Sequence, residues 1–557
     1  MRNKLKRSIL IIFICFFSFY TITLSLYGNY NILMSRFSNQ YQEDSPDTFG
    51  SSSETINILW NETWGGSAWD EAEGVALDAI GNIYCTGRTV SYGAGSYDLA
   101  LVKFYPNGTK AWNITWGDTY FNLGYGIDVN IATGNVYCTG YTYNPGTSSN
   151  DLILVKFYPN GTEAWNTLWG GFSDDHGWKV EVDTTGNIIC VGETESFGKG
   201  LYDIAVVKFY PNGTKIWNTT WGSGSSEDRG WGMTLDAAGN IYCTGSTNKS
   251  SATLDDFVFI KFDTDGIRLW NFTWGGSSYD FGYDIVVDEA TGNIYCTGDT
   301  YSSGAGDRDL ALVKLYPNGS RIWNTTWGGL IADFGKGVIL DSSGNVYCTG
   351  WTSNFGKPDD YMLVKFDSNG NMIWNTTWGG FNNENCRGIV MNNATGNVYC
   401  IGSTTSFGMG NRDFALVKFD INSPSAPSNP TPLNGATEII TNPILSVEVW
   451  DPNNDYMNVS FYNSSDDTLI EMDINISSGG LALITWSGLN WETTYNWYAV
   501  VDDGNTTTQS LHWTFTTKSQ PTTTTTGIPG FDLIISLFCI FIMISLLIIK
   551  QTYKKLL

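Results

Sequence analysis

The chain is short of histidine, of positive charge and of pairable cysteine, and each shortage removes a class of function. Two histidines, His176 and His512, occur in 557 residues, which leaves His-based metal sites and Ser/His/Asp catalysis almost nothing to draw on. Thirty basic against fifty-five acidic residues give a formal net charge of −25, so phosphate backbones find few cations here and nucleic acid is excluded as a partner. Helical periodicity is missing from the body of the chain, which excludes helical solenoids. Cysteines number ten, but their placement argues against disulfides. Cys15 and Cys539 lie in apolar ends, while Cys85, Cys138, Cys190, Cys243, Cys296, Cys348 and Cys400 recur at one position of a repeat. Equivalent positions a whole unit apart exceed the roughly 4.4–6.8 Å between α-carbons that a disulfide spans. They read as buried small apolar residues, and only Cys386 falls out of pattern.

What the chain has in quantity is glycine, 62 residues, and tryptophan, 23 residues, a composition of strands and turns. A W-N-x-[TL]-W-G segment starts at Trp60, Trp112, Trp165, Trp217, Trp270, Trp323 and Trp374, spaced 51 to 53 residues. A G-N-[IV]-[YI]-C segment starts at Gly81, Gly134, Gly186, Gly239, Gly292, Gly344 and Gly396, and a lysine ends a third apolar run at Lys103, Lys156, Lys208, Lys261, Lys314, Lys365 and Lys418. Within one unit, strands are expected at Gly124 to Asn130, Val136 to Tyr141, Asp151 to Tyr158 and Ala164 to Trp169. Four strands joined by tight turns make a propeller blade. Fourteen of the 23 tryptophans sit in the fourth strand, where alternation places them as packing between blades.

The repeats begin with a fourth strand, Ile56 to Trp64, and end with a third, Phe414 to Asp420. Pairing the two closes the ring and hides two open sheet edges. The expected fold is all-β: a seven-bladed β-propeller over residues 55–421, then a β-sandwich over 422–518, with hydrophobic helices at both termini. The repeated units resemble the SBBP type of β-propeller repeat, and Asp341-Ser342-Ser343-Gly344-Asn345-Val346-Tyr347 is also similar to NHL-type blades. The resemblance implies a fold rather than an activity, since propellers carry many functions. Trp486, Tyr495, Trp497 and Trp513-Thr514-Phe515-Thr516-Thr517 make the following segment similar to a fibronectin type III or immunoglobulin-like module.

The ends point outward from the cell. Basic residues before an apolar run make residues 1–28 a signal peptide or signal anchor, with 29–54 a linker. Residues 519–530 are a Thr-rich linker, 531–549 an apolar run long enough to span a bilayer, and 550–557 a basic tail that would stay cytoplasmic. The Thr run followed by Pro529-Gly530-Phe531, the apolar run and the basic tail resembles the PGF-CTERM sorting signal of archaeal surface proteins. That resemblance implies replacement of the span by lipid, so the body is expected on the extracellular face, anchored by the span or by lipid.

Glycosylation sequons occur in the third-to-fourth strand turns at Asn107, Asn160, Asn212 and Asn318 and in the fourth strands at Asn113, Asn218, Asn271, Asn324 and Asn375. Sugars there would leave the opposite face bare. The bare connections diverge most between repeats and carry acids with aromatics, including Trp69, Asp70, Glu73, Tyr120, Asp174, Asp175, Trp178, Asp228, Trp231 and Asp280. Such a mixture suits a glycan or a cationic ligand; solvated acidic loops give the same pattern. The acids that repeat five residues before each lysine, such as Asp98, Asp151 and Asp203, are instead turn-fixing. No cofactor is called for. Calcium is the one ion the loop chemistry allows, at Asp451-Pro452-Asn453-Asn454-Asp455, where a plain Asx-rich turn is the other reading.

The leading functional reading is a non-enzymatic, monomeric surface protein for binding or adhesion, with a glycan, an envelope component or a protein as ligand. A secreted carbohydrate-active enzyme using two acids among Asp70, Glu73, Asp174, Asp175, Glu227 and Asp228 is the alternative. A quinone-cofactor oxidoreductase ranks third, because Gly- and Trp-rich propeller repeats also occur there.

Overall fold

The computed structural model describes residues 56–521 apart from 223, 225–226, 249–253, 355–357, 454 and 505. The expected signal, the 29–54 linker and the C-terminal span and tail lie outside the described residues. Among the described residues no helix is long and apolar enough to cross a membrane.

Among the described residues every regular element is a strand, and the repeats build seven four-stranded antiparallel sheets in a β-propeller arrangement. One sheet runs Asn122–Val129, Val136–Asn144, Ser149–Phe157 and Glu163–Trp169, each edge within three residues of the sequence expectation. Hairpin turns follow from their residues: Asp78 Oδ1 accepts the amides of Ile80 and Asn82, and Gly81 takes φ +82°, open to glycine at little cost. The seventh sheet consists of Glu384–Asn392, Asn397–Thr404, Asp413–Asp420 and, as its outer strand, Asn57–Trp64 from the other end of the repeats. Its register runs from Asn57 opposite Asp420 to Trp64 opposite Phe414, so the N-terminal strand closes the last sheet.

The cores lie between sheets. Ala76, Tyr84, Leu99 and Leu101 of the first sheet pack on Ile127, Val136, Ile153 and Phe157 of the second. Trp64, Phe414 and Leu416 of the last pack on Ala72, Ile83 and Val102 of the first. Each such Leu, Ile or Phe contributes about 1.5–3 kcal/mol when fully buried. The repeat cysteines are buried free thiols within these cores, and burial pushes the thiols of Cys138, Cys190 and Cys348 up to about 12.

The glycine that ends each W-N-x-[TL]-W-G segment has a packing cause. A side chain at Gly65, Gly117, Gly170, Gly222, Gly275, Gly328 or Gly379 would overlap a carboxylate oxygen of Asp413, Asp98, Asp151, Asp203, Asp256, Asp309 or Asp360. These are the repeated acids five residues before each lysine. As a turn-fixing role requires, Asp98, Asp309 and Asp413 accept the amides of Gly95, Gly306 and Gly410.

After the propeller, a three-stranded sheet of Ser428–Thr431, Ile444–Val449 and Gly480–Thr485 faces a second sheet built on Thr494–Asp502 and Met457–Asn463. Leu445, Val447, Val459, Phe461, Trp497 and Phe515 fill the space between them. This module touches the propeller at Pro452, whose carbonyl accepts Lys365 Nζ at 3.0 Å and Trp374 Nε1 at 3.4 Å.

Candidate functional site

The innermost strand is the first in sequence in six of the sheets and Glu384–Asn392 in the seventh, and all seven are interrupted at the same place. A one-residue bulge falls between Ala72 and Gly74, Gly124 and Gly126, Gly177 and Lys179, Gly230 and Gly232, Gly282 and Asp284, Gly335 and Gly337, and Cys386 and Gly388. A bulge leaves one residue unpaired and re-aims its side chain. The residues so displaced are Glu73, Tyr125, Trp178, Trp231, Tyr283, Lys336 and Arg387, and all seven line a single central cavity of about 430 Å³. The flanking glycines let the inner strands crowd together at this level. A Cβ on Gly126 would meet the Lys179 Cα at 2.8 Å, and one on Gly232 the Tyr283 carbonyl at 2.6 Å.

The ring has two unlike arcs. On the aromatic arc, the Tyr125 and Trp178 ring centroids lie 4.3 Å apart, and Trp231 stacks on Tyr283 at 5.0 Å. Trp178 Nε1 is buried and meets no acceptor among the described residues. On the charged arc, Lys336 Nζ sits 3.0 Å from the Tyr283 ring centroid, and Arg387 Nε approaches Glu73 Oε2 at 3.8 Å. Burial pushes Lys336 down to about 7; Asp299 opposes the fall, and Arg387 and Arg308 add to it. Burial also raises the Tyr125 and Tyr283 phenols, which therefore remain neutral donors.

Ion pairs and hydrogen bonds flank the ring on both sides. On one side of the ring Glu71 bonds Arg88 and Arg412, Glu193 bonds Arg229 and His176 at 3.1 and 3.0 Å, and Asp299 bonds Arg308. On the other, Lys179 Nζ reaches Asp284 Oδ1 at 3.1 Å across two sheets. Asp128, Glu181 and Asp284 accept the amides of Val182, Leu235 and Val338 from a following inner strand. Burial lifts Asp128 to about 6 and Glu181 to about 8.

Three of the residues expected from sequence, Glu73, Trp178 and Trp231, meet in this ring. Trp69 and Tyr120 are exposed outside the cavity lining, against Arg412 and Tyr143 respectively. Asp174 accepts the amide and side chain of Asn150. Asp70, Asp175, Asp228 and Asp280 require correction as ligand-facing groups, because all four are 0% exposed and each accepts the hydroxyl of a threonine on the neighbouring strand. Asp70 also takes the Gly66 amide at 2.8 Å and Ser91 Oγ at 2.6 Å; these acids fasten the strand start to its loop. Sequence reasoning missed Lys336, Arg387, Lys179 and Asp284 as channel residues. A signal was present in the repeats: three residues after the near-invariant acid, Glu73, Tyr125, Trp178, Trp231, Tyr283, Lys336 and Arg387 break the repetition. The sequons at Asn107, Asn113, Asn160, Asn212, Asn271, Asn318 and Asn324 are exposed, and those at Asn218 and Asn375 half-buried.

Residues 328–356 match the family model described as SBBP, beta-propeller repeat. An uncharacterised WD repeat-containing protein, L264, of Acanthamoeba polyphaga mimivirus is 22% identical over 401 residues, 57% of this chain and 28% of the viral protein. The chain thus aligns with little more than a quarter of that relative. Among solved structures, the propeller domain of the Trilobed protease from Pyrococcus furiosus, with an open velcro topology, is similar at a TM-score of 0.39 and 10% identity, covering 64% of this chain and 95% of that one. The Pyrococcus horikoshii acylaminoacyl peptidase has a TM-score of 0.35 and 8% identity over 68% and 59% of the two chains. A Synechocystis apocarotenoid oxygenase mutant has a TM-score of 0.34 and 11% identity over 55% and 71%. The seven repeated sheets, the family match and the WD-repeat relative agree that the chain is a β-propeller repeat protein.

Proposed function

We propose that the protein is a non-enzymatic binding protein of the cell surface and that the ring of bulge residues recognises a saccharide of an envelope glycan. In this reading the seven sheets are the blades of one seven-bladed propeller. The C-terminal module is a fibronectin type III or immunoglobulin-like spacer, and the segment 531–549, or a lipid that replaces it, holds a monomer on the extracellular face. The observation that carries the reading is the asymmetry of the ring: four aromatic residues face Lys336, Arg387 and Glu73 across one cavity. A sugar ring offers an apolar face to stack on Trp231 or Trp178, and hydroxyls that accept from Trp178 Nε1, Lys336 and Arg387 or donate to Glu73. Glycans on Asn107, Asn160, Asn212 and Asn318 would lie on turns of the sheet periphery, away from the inner strands.

Catalysis by paired acids has less support. Glycoside hydrolysis needs two available carboxyl groups across the scissile bond, and the cavity is lined by Glu73 and by an Asp284 already held by Lys179 and the Val338 amide. Titration calorimetry of the purified protein against envelope polysaccharides, with products checked for cleavage, tests both readings. Saturable binding that falls at least tenfold in Trp178→Ala/Trp231→Ala, with folding intact and no product released, is the expected result. Turnover of a polysaccharide, or binding indifferent to both tryptophans, would overturn it.

A further inference from the structure

We propose that Asp451, Asp455 and Asp503 bind one calcium ion, and that this ion fixes the C-terminal module against the propeller. The three acids come from two loops at one end of the module: Asp451 and Asp455 lie between the strands Ile444–Val449 and Met457–Asn463, and Asp503 directly follows Thr494–Asp502. One ligand oxygen from each falls within 4.8 Å of the others.

Clustered acids alone are common, and Asp451 supplies the observation that sets this group apart. It is 0% exposed. Its Oδ1 is occupied by the amides of Asn453 at 2.8 Å and Asp455 at 2.9 Å, whereas Oδ2 is shielded from solvent and meets no donor among the described residues. A buried carboxylate oxygen without a partner is costly, and an ion removes that cost. Burial raises the Asp451 carboxyl and repulsion from Asp455 and Asp503 adds to the rise, against two amide bonds that oppose it. Lys365, whose charge acts on Asp451 and Asp455, directs its Nζ to the Pro452 carbonyl instead.

The donor set selects the metal. Carboxylate oxygens on loops, with no histidine and no cysteine among them, suit a hard cation of adaptable coordination, which favours calcium over the strictly octahedral magnesium. The location gives the ion its role. Pro452 lies within the turn that Asp451 and Asp455 close, and its carbonyl takes Lys365 and Trp374 from the propeller. Asn453 of the same turn reaches Asn422 Oδ1 at 3.4 Å. Fixing the turn therefore fixes the surface through which the module is attached.

Terbium, which replaces calcium at oxygen sites, serves as the probe with the full chain, since Trp450 adjoins the site and can sensitise its emission. Saturable emission is expected, displaced by excess calcium and weakened at least tenfold in Asp455→Asn, a half-buried position whose loss spares the turn amides. Asp451→Asn, which keeps an oxygen acceptor, should do the same. No saturable emission, or emission unchanged in both variants while their circular dichroism matches the parent, would overturn the site. Proteolysis within residues 421–427 should slow at least threefold when calcium is added to chelator-treated protein; an unchanged rate despite bound ion would overturn the fastening role.

Discussion

At the start of the inner strands, Asp70, Asn122, Asp175, Asp228, Asp280, Asp333 and Glu384 keep nearly one chemistry through seven sheets, while three residues further on Glu73, Tyr125, Trp178, Trp231, Tyr283, Lys336 and Arg387 present five residue types. Both positions are polar or aromatic and lie near the channel, so composition does not separate them. Hydrogen bonding does. The first position is consumed by its own loop, as Asp70 is by Thr89, Ser91 and Gly66. The second stands outside the strand register and has side chains of other sheets for neighbours. Repetition thus marks what holds each sheet, and divergence marks what the ring can bind.

The comparison breaks most severely if the scaffold is opened. Deleting residues 55–66 removes the strand that covers the third strand of the last sheet, together with Trp64 from the core it shares with the first. The loss should exceed about 4 kcal/mol and abolish the single cooperative melt followed by circular dichroism. A melt unchanged in midpoint would show that the ring does not depend on its closure.

A smaller break tests the glycine column. A methyl at Gly222 overlaps Asp203 Oδ1, so Gly222→Ala should destabilise by about 1–3 kcal/mol, the range of core overpacking. Adding Asp203→Ala should recover part of that loss in a double-mutant cycle, because the two changes act through one contact. Additive losses in the denaturant midpoints would contradict the clash.

The two positions on a single strand can be set against each other. Asp70→Asn places an NH2 among donors that now find carboxylate oxygens, which should cost about 1–3 kcal/mol. Glu73→Gln, three residues away, should change stability by no more than about 0.5 kcal/mol while weakening saccharide binding. Equal effects on the melting temperature would remove the distinction between scaffold and ring.

Much of this was legible in the sequence. The spacing of the tryptophan, Gly-Asn and lysine segments yields the four strands of a sheet and the pairing of Asn57–Trp64 with the last repeat, since a closed core admits few partners for an unpaired edge. The ring was legible in part. Trp178 and Trp231 stood out as aromatics in a divergent stretch, but Lys336 and Arg387 did not, because a bulge shifts register and alternation then assigns the wrong face. Asp70 and its equivalents were misread for the converse reason. An acid beside a loop looks solvated until the threonine and serine that bury it, some twenty residues on, are known.

The finest test concerns Lys336, where ring and scaffold share one ammonium. Burial holds its pKa near 7, against about 10.4 for a lysine in the unfolded chain. Between those values the unfolded chain keeps a proton that the folded chain has released, so this residue makes stability rise as pH climbs from 7 towards 10, and below 7 the full cost of the buried charge is present. Lys336→Met removes that slope. The variant should therefore show its greatest advantage over the parent near pH 6, and the difference in denaturant midpoint should shrink as pH rises through the window. Saccharide binding should weaken in the parent over the lower part of the same window as the ammonium is lost, and in Lys336→Met it should be weak throughout. A midpoint difference that stays constant from pH 6 to 10 would mean that Asp299 keeps the ammonium charged at every pH, making the charged arc a fixed part of the scaffold rather than the adjustable part of the ring.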